Sequence, residues 1–315
     1  MRLVKNILKL LLFLLIVVLV WYFGSVSFYK MTTDNKLSDI TEENFEGQDL
    51  GEGNKIEALK KNELLFLLAG TDQNKGDSNG MTRTDTLMLF KINFSDGTVN
   101  QVSIPRDTRV IVEDYYTKIN HASAYGKLPL TIKTIRDWLD IDLDYYIKVN
   151  FESVVALVDL VGGVEIDVPE VVANGIGLKP GLQKLDGKKA LDFVRFRKGY
   201  ATGDLGRVEA QQSFIHQVFS KMLTTKNILR SPILVDILYS QVDTNIPRSF
   251  MTSKLLSLRK FSSDKFTKEI IPGYGDYIDG VSYYIYDREE TIDLRDRYFS
   301  DYRLNGLNYL ESEKY

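Results

Sequence analysis

Five arginines and four aspartates fall where a merely solvated surface does not explain them: Arg83, Arg106, Arg195, Arg197 and Arg207 with Asp72, Asp85, Asp107 and Asp204. Guanidinium forks match phosphate oxygens two at a time. Carboxylates suit Mg²⁺, which usually takes one or two of them and completes its shell with phosphates and water. A pyrophosphate carried with Mg²⁺ would satisfy both sets. Each charge-assisted contact is worth about 1.5–3 kcal/mol, so a few would hold a diphosphate tightly.

The elements that must carry these residues are readable from spacing. A helix is expected over residues 204–223, with a core stripe of Ile215, Val218, Phe219 and Met222. Extended backward, that stripe lands on Asp204, Arg207 and Gln211, so the inward face begins polar and becomes apolar. A buried charge is costly unless paired or bound. A helix N-terminus also favours an anion. A structural Asp204–Arg207 pair is the plain alternative. Phe193-Val194-Arg195-Phe196-Arg197, if extended, puts both arginines on one side. Arg83 and Asp85 sit at a strand start, Asp72 follows a strand, and Arg106-Asp107 end another. Charges at several strand ends point to one shared site on a sheet edge.

Strands are expected over 64–69, 84–94, 98–104, 145–151 and 164–168, and helices over 129–139, 152–160, 186–191 and 204–223. The helix at 152–160 should stop at Gly162-Gly163. This intermixing predicts an α/β fold, a sheet flanked by helices. The net charge of −3 argues against broad nucleic-acid binding. The absence of cysteine removes disulfides, thiolate metal sites and Cys nucleophiles. Only His121 and His216 are present, so paired-histidine metal sites are not expected. Gly76-Asp77-Ser78-Asn79-Gly80 matches a nucleophile elbow but sits in a polar stretch instead of a strand-turn-helix. Asp140, Asp142 and Asp144 imitate a calcium loop, with Tyr145 and Phe151 where Gly and the bidentate acid belong.

The N-terminus reads as an anchor. Residues 10–23 are an unbroken apolar run, extended by Ile7 and Leu8. Arg2, Lys5 and Lys9 precede its core and no basic residue follows until Lys30. That asymmetry puts the N-terminus in the cytoplasm and the rest across the membrane. Trp21, Tyr22 and Phe23 would meet the outer headgroups. A cleaved signal peptide is the alternative, with Ser25-Val26-Ser27 as the cleavage pattern. The expected organisation is a cytoplasmic tail (1–6), a transmembrane anchor (7–24), an acidic stalk (25–62) and one catalytic domain (63–315).

These segments together resemble the LytR–CpsA–Psr family. The matching stretches are Leu67-Leu68-Ala69-Gly70-Thr71-Asp72, Thr82-Arg83-Thr84-Asp85-Thr86, Val102-Ser103-Ile104-Pro105-Arg106-Asp107, Lys118-Ile119-Asn120-His121-Ala122, Asp144-Tyr145-Tyr146-Ile147-Lys148-Val149-Asn150-Phe151, Val161-Gly162-Gly163-Val164, and Val194-Arg195-Phe196-Arg197 with Asp204-Leu205-Gly206-Arg207 and Gln211-Gln212. Thr84 stands where the family more often has Ser, and Ala69 where it has Leu. The resemblance implies a three-layer αβα sandwich with a central mixed sheet, behind one N-terminal membrane helix. It also implies an Mg²⁺-dependent phosphotransferase of Gram-positive envelopes, with Mn²⁺ as a substitute. Such enzymes move an anionic glycan, of teichoic-acid or capsule type, from a polyprenyl-pyrophosphate carrier to a peptidoglycan sugar hydroxyl. By that resemblance Asp72 and Asp85 surround the metal. Arg83, Arg106, Lys118, Arg195, Arg197 and Arg207 hold the pyrophosphate, supported by Gln211, and Asp107 and Asp204 orient arginines. A pyrophosphate hydrolase and a non-catalytic lipid-pyrophosphate binder need the same clamp and stay open, as does the general base, for which Asp85 is a candidate.

Overall fold

The computed structural model describes residues 62–71, 84–224, 231–304 and 310. The expected tail and anchor, the stalk up to residue 61, the elbow-like pattern, Asp72 and Arg83 lie outside them. Among the described residues no helix is long and apolar enough to cross a membrane.

The chain opens with a meander, β1 (Glu63–Thr71), β2 (Thr84–Asn93) and β3 (Val99–Ile104). A hairpin follows, β4 (Arg109–Val112) and β5 (Tyr115–Lys118), then helix α1 (Asn120–Leu139), broken at Gly126 and Lys127. Next come β6 (Tyr145–Val149), α2 (Phe151–Leu160), β7 (Val164–Val168), α3 (Glu170–Ile176), β8 (Gly181–Leu185) and α4 (Gly187–Arg195). The long helix α5 (Asp204–Met222) precedes α6 (Ser231–Gln241), β9 (Asp243–Thr244) and α7 (Arg248–Ser253). The chain finishes with β10 (Phe266–Ile270), the hairpin β11 (Gly273–Ile278) and β12 (Val281–Tyr286), and α8 (Arg288–Phe299).

Six strands form one mixed sheet in the order β10-β3-β2-β1-β6-β9. β1 runs antiparallel to β2 and parallel to β6. The sheet is buried on both faces, which is why β1 reads as a continuous apolar run rather than an alternation. Leu65, Leu67, Leu87, Leu89 and Val102 pack toward Ile132, Ile135 and Trp138 of α1 and Leu294 of α8. Leu64, Phe66, Met88 and Phe90 face the other way, toward Ile215 and Phe219 of α5 and Phe250 and Met251 of α7. The expected αβα sandwich with a central mixed sheet is therefore present. A separate core lies beneath the β7–β8 hairpin, where Val164, Ile166 and Leu185 meet Val158, Ala190, Phe193 and Phe214.

Two features differ from the sequence expectation. Residues 193–195 are not extended; they are the last turn of α4, and the chain becomes extended at Phe196. The Asp186 side chain accepts the Lys189 N–H at 2.9 Å and nucleates the helix. Ala190 and Phe193, three apart, then bury one face. The alternation of Phe and Arg imitated a strand, but the cap upstream decides. The hairpin β4–β5 was not foreseen. Helix α2 stops where expected: Gly162 and Gly163 take φ of +81° and +85°, values that suit glycine.

Candidate active site

The charged residues converge at one end of the central sheet. They gather beyond the C-terminal ends of β1, β3 and β6, where the antiparallel β2 begins. Crevices outside strand carboxyl ends are the usual ligand sites of α/β sheets.

Asp85 occupies an irregularity that places it. Gly70 pairs with Thr86, but Thr71 pairs with Thr84, so Asp85 is an extra residue on β2. Such a bulge re-aims side chains. Thr84 Oγ1 donates to Ser123 Oγ of α1 at 3.3 Å, whereas Thr86 Oγ1 donates to Gln211 Oε1 of α5 at 3.1 Å. Residues two apart thus reach opposite faces of the sheet, and Asp85 between them is freed for the site. Its Oδ1 accepts Arg106 at 2.7 Å and its Oδ2 accepts Arg197. With both oxygens held by guanidiniums, Asp85 is not a free general base in this state.

The ion pairs continue outward in alternation. Arg106 stands 3.7 Å from Asp107 and 3.5 Å from Asp204. Lys118 lies 3.0 Å from Asp107, and Arg207 lies 2.8 Å from Asp204. Asp107 thus stands between Arg106 and Lys118, and Asp204 between Arg106 and Arg207. Arg195 stands apart: its guanidinium lies over the Phe151 ring at 4.4 Å, and among the described residues no carboxylate reaches it. Among the described residues the network therefore holds five cations, Arg106, Lys118, Arg195, Arg197 and Arg207, against three carboxylates, Asp85, Asp107 and Asp204.

Arg207 is the most confined of these cations, at 2% exposure. Burial lowers its pKa from the ordinary arginine value, and the neighbouring charges of Arg106 and Arg197 push the same way against Asp204 and Asp85. Arg106 moves oppositely. Burial alone would lower its pKa, but the Asp85 hydrogen bond and the charges of Asp204, Asp85 and Asp107 raise it. The Nε atoms of both arginines are buried without a hydrogen-bond partner. Buried N–H groups are normally satisfied, so an anion among these guanidiniums answers both the charge excess and the orphaned donors.

Helix α5 behaves as its spacing implied, with Arg207 and Gln211 buried in line with the apolar stripe. Gln211 bridges sheet and helix, accepting from Thr86 and donating to the Val194 carbonyl at 3.3 Å. Gln212 donates to Ser103 Oγ at 2.8 Å and the Glu269 carbonyl at 2.6 Å, locking α5 onto β3 and β10. The two histidines stay structural or peripheral: His216 packs edge-on to Phe266 at 4.8 Å, and His121 shares a hydrogen bond with Thr117.

The sequence did not disclose what adjoins this cluster. A cavity of about 550 Å³ opens between the sheet and helices α2, α4 and α5. Asp85, Arg195, Arg197, Arg207 and Gln211 stand on its polar side. The remaining wall is largely apolar, with Leu68, Val154, Leu157, Phe214, Ile215 and Val218. A Cβ at Gly70 would come 3.0 Å from Thr86 Cβ, so the bare glycine keeps the cavity floor compact. Asn150 caps α2 reciprocally with Ser153 and sets Phe151 beneath Arg195. These walls come from five segments of the sequence, each ordinary by itself.

The donor set suits a hard cation in kind. Asp85 supplies carboxylate oxygen beside a phosphate-ready cluster, and Mg²⁺ needs only one or two such groups when phosphates complete its shell. Among the described residues no group of three or more His, Cys, Asp or Glu converges as a cage of its own.

Comparison with known proteins agrees with this geometry. The chain is 30% identical to the polyisoprenyl-teichoic acid–peptidoglycan teichoic acid transferase TagU of Bacillus subtilis over 243 residues, which is 76% of this chain and 78% of that protein. It is 32% identical to the TagU of Oceanobacillus iheyensis, over 73% of each. The crystal structure of B. subtilis TagV superposes with a TM-score of 0.67 at 27% identity, covering 77% of this chain and 98% of that one. The family profile matches residues 24–299, and the chain belongs to the LytR_cpsA_psr family.

Proposed function

We propose that this chain transfers an anionic glycan, of teichoic-acid or capsule type, from a polyprenyl-pyrophosphate carrier to a sugar hydroxyl of peptidoglycan. The observation that carries this reading is the junction of an apolar cavity with an excess of guanidinium groups. A lipid pyrophosphate has that same junction: an apolar tail ending in concentrated negative charge. The relatives named as teichoic acid transferases supply the donor and acceptor classes.

In this reaction the acceptor oxygen attacks the phosphorus that bears the glycan. The bond from that phosphorus to the bridging oxygen breaks, polyprenyl phosphate leaves, and the hydroxyl proton is lost. Phosphoryl transfer of this kind depends on positioning and charge neutralisation. Arg106, Arg197 and Arg207 would surround the diphosphate, exchanging part of their contact with Asp85 for phosphate oxygens. Arg195, held over Phe151, adds positive charge without a carboxylate to offset it. Asp85, with Asp72, would hold Mg²⁺, which supplies neutralisation of phosphate charge when bound. An N-terminal anchor at 7–24 would confine enzyme and carrier to one membrane plane, with the domain outside the cytoplasm.

The test incubates the full chain in detergent with a lipid-linked pyrophosphate glycan, a peptidoglycan oligosaccharide and Mg²⁺. Coupled glycan–phosphodiester–peptidoglycan product is expected. Release of phosphorylated glycan to water alone would make the protein a hydrolase. Bound but unchanged lipid would make it a carrier-binding protein. Val218→Trp, which fills the apolar wall, should weaken long-chain donors by at least tenfold and short-chain analogues far less.

A further inference from the structure

The two peripheral hairpins form a second surface that the donor cavity does not use. In β4–β5, Arg109 pairs with Lys118 and Ile111 with Tyr116, while Val110 and Val112 are buried. Side chains alternate along a strand, so Arg109, Tyr116 and Lys118 share the outward face. The Arg109 guanidinium lies 3.9 Å from the Tyr116 ring centre and 6.0 Å from that of Tyr283 on β12. Lys118 lies 5.8 Å from the Tyr283 ring. The hairpins are fastened by a bridge between Thr108 and Tyr284, where the Tyr284 N–H donates to the Asp107 carbonyl at 2.9 Å. Pairing of β11 with β12 puts Tyr274, opposite Ile285, on the same face as Tyr283. Tyr274 is 59% exposed and Tyr116 40%.

We infer that this face binds the acceptor: an acidic oligosaccharide whose sugar rings lie on Tyr116, Tyr283 and Tyr274 and whose carboxylates meet Arg109. The inference rests on the transferase reading and names where its second substrate sits. Three observations favour this occupant. The face is continuous with the charge network, because Lys118 is 3.0 Å from Asp107, which neighbours Arg106. A polymer lying along it would bring a hydroxyl to the diphosphate without entering the apolar cavity, none of whose lining residues belongs to either hairpin. The chemistry also matches. Tyrosine offers a rigid ring face with a polar tip at low entropic cost. Among the described residues no carboxylate pairs with Arg109, so its fork, steadied by rings, is open to an acidic partner.

The variants Tyr116→Ala, Tyr274→Ala and Arg109→Ala test this, with Tyr116→Phe as the conservative control; Lys118 is left intact because it belongs to the phosphate network. Binding of soluble disaccharide-peptide fragments of peptidoglycan is measured by titration calorimetry on the full chain in detergent, without donor. Turnover at varied acceptor is measured in parallel, and thermal unfolding confirms that each variant is folded. Each alanine variant should weaken fragment binding and raise the acceptor KM by about tenfold, and Tyr116→Phe should restore most of both. Fragment binding equal to that of the unaltered protein in all three would overturn the inference. So would a loss of donor affinity at unchanged acceptor KM, which would assign the face to the donor's glycan. Variant-sensitive fragment binding in a protein that transfers nothing would sink the transferase reading and leave the acid-sugar surface standing.

Discussion

Strand β6 has a charged cluster at each end, and the two are built on opposite principles. Before its first residue, Arg136 pairs with Asp142 at 3.4 Å and with Asp144, whose side chains are 8% and 4% exposed. Arg303 joins Asp140 and Asp296 at 3.1 Å each, and Arg295 joins Asp296 at 2.8 Å. Three arginines meet four aspartates there, and backbone bonds from Asp142 to Tyr302 and from Leu304 to Asp140 hold the C-terminal segment against them. The three aspartates that imitate a calcium loop are thus engaged by arginines. Beyond the last residue of β6, five cations meet three carboxylates among the described residues. A cluster in which every arginine meets aspartates, with no excess of cations, fastens the fold. A cluster left with an excess of cations suits an anion. Ion-pair number does not separate them; balance does.

Crossed substitutions should break that contrast most sharply. Arg136→Ala leaves two nearly buried carboxylates without their cation, a change that costs about 3–5 kcal/mol. The melting temperature should fall by about 10 °C, with turnover of the folded fraction retained. Arg106→Ala should do the reverse. It removes one of several cations around the proposed diphosphate, and turnover should drop about 10²–10³-fold with melting within a few degrees. Calorimetry and the coupled transfer assay on both variants check this; global unfolding of Arg106→Ala would make the second cluster structural too.

A ligand should sharpen the contrast from the other direction. An anion that fills the excess-cation cluster stabilises the native state by about 2.7 kcal/mol at a hundred times its dissociation constant. Inorganic pyrophosphate should therefore raise the melting temperature of the unaltered chain by several degrees. Arg195→Ala should lose much of that rise while melting normally without ligand, because no ion pair is broken. An undiminished pyrophosphate shift in that variant would remove Arg195 from the site.

The sequence disclosed the second cluster unevenly, for physical reasons. Helix α5 was legible because a stripe at spacings of three, four and seven obliges Arg207 and Gln211 to face inward wherever the helix packs. The strand-end arginine and aspartate of 106–107 were legible for a similar reason. The relation between Arg195 and Arg197 was misread as extended pairing, because a local alternation outweighed a cap nine residues earlier, at Asp186. Both residues still reach the cavity, one from a helix end and one from the loop. The bulge at Asp85 depends on β1–β2 register, and the cavity on five separate segments; neither exists as a local pattern. A sheet flanked by helices was visible in outline because strand-like and helix-like segments intermix along the chain, whereas the three-layer order followed from the family resemblance.

The smallest expected difference is in acid. The Arg295 hydrogen bond, opposed by burial and helped by the charges of Arg295 and Arg303, holds the Asp296 carboxyl below the usual carboxylate range. A carboxylate with a depressed folded-state pKa adds stability above its unfolded value, about 3.9. That contribution disappears as pH falls through the lower, folded value. Asp296 is 47% exposed on its side chain, so water screens the pair and the effect should be a degree or two of melting temperature. Melting curves between pH 2.5 and 6 should therefore separate the unaltered chain from Asp296→Asn at the upper end of that range, and the two should converge at the acid end. The Asp107–Lys118 contact at the other cluster lets the same experiment compare regions. Removing Asp107 as Asn leaves a more positive site, so pyrophosphate should bind that variant at least as well at pH 6 even though its turnover suffers from a misplaced Arg106. Weaker pyrophosphate binding by Asp107→Asn would mean that orientation of the cations, more than their excess, is what readies this end of the sheet for an anion.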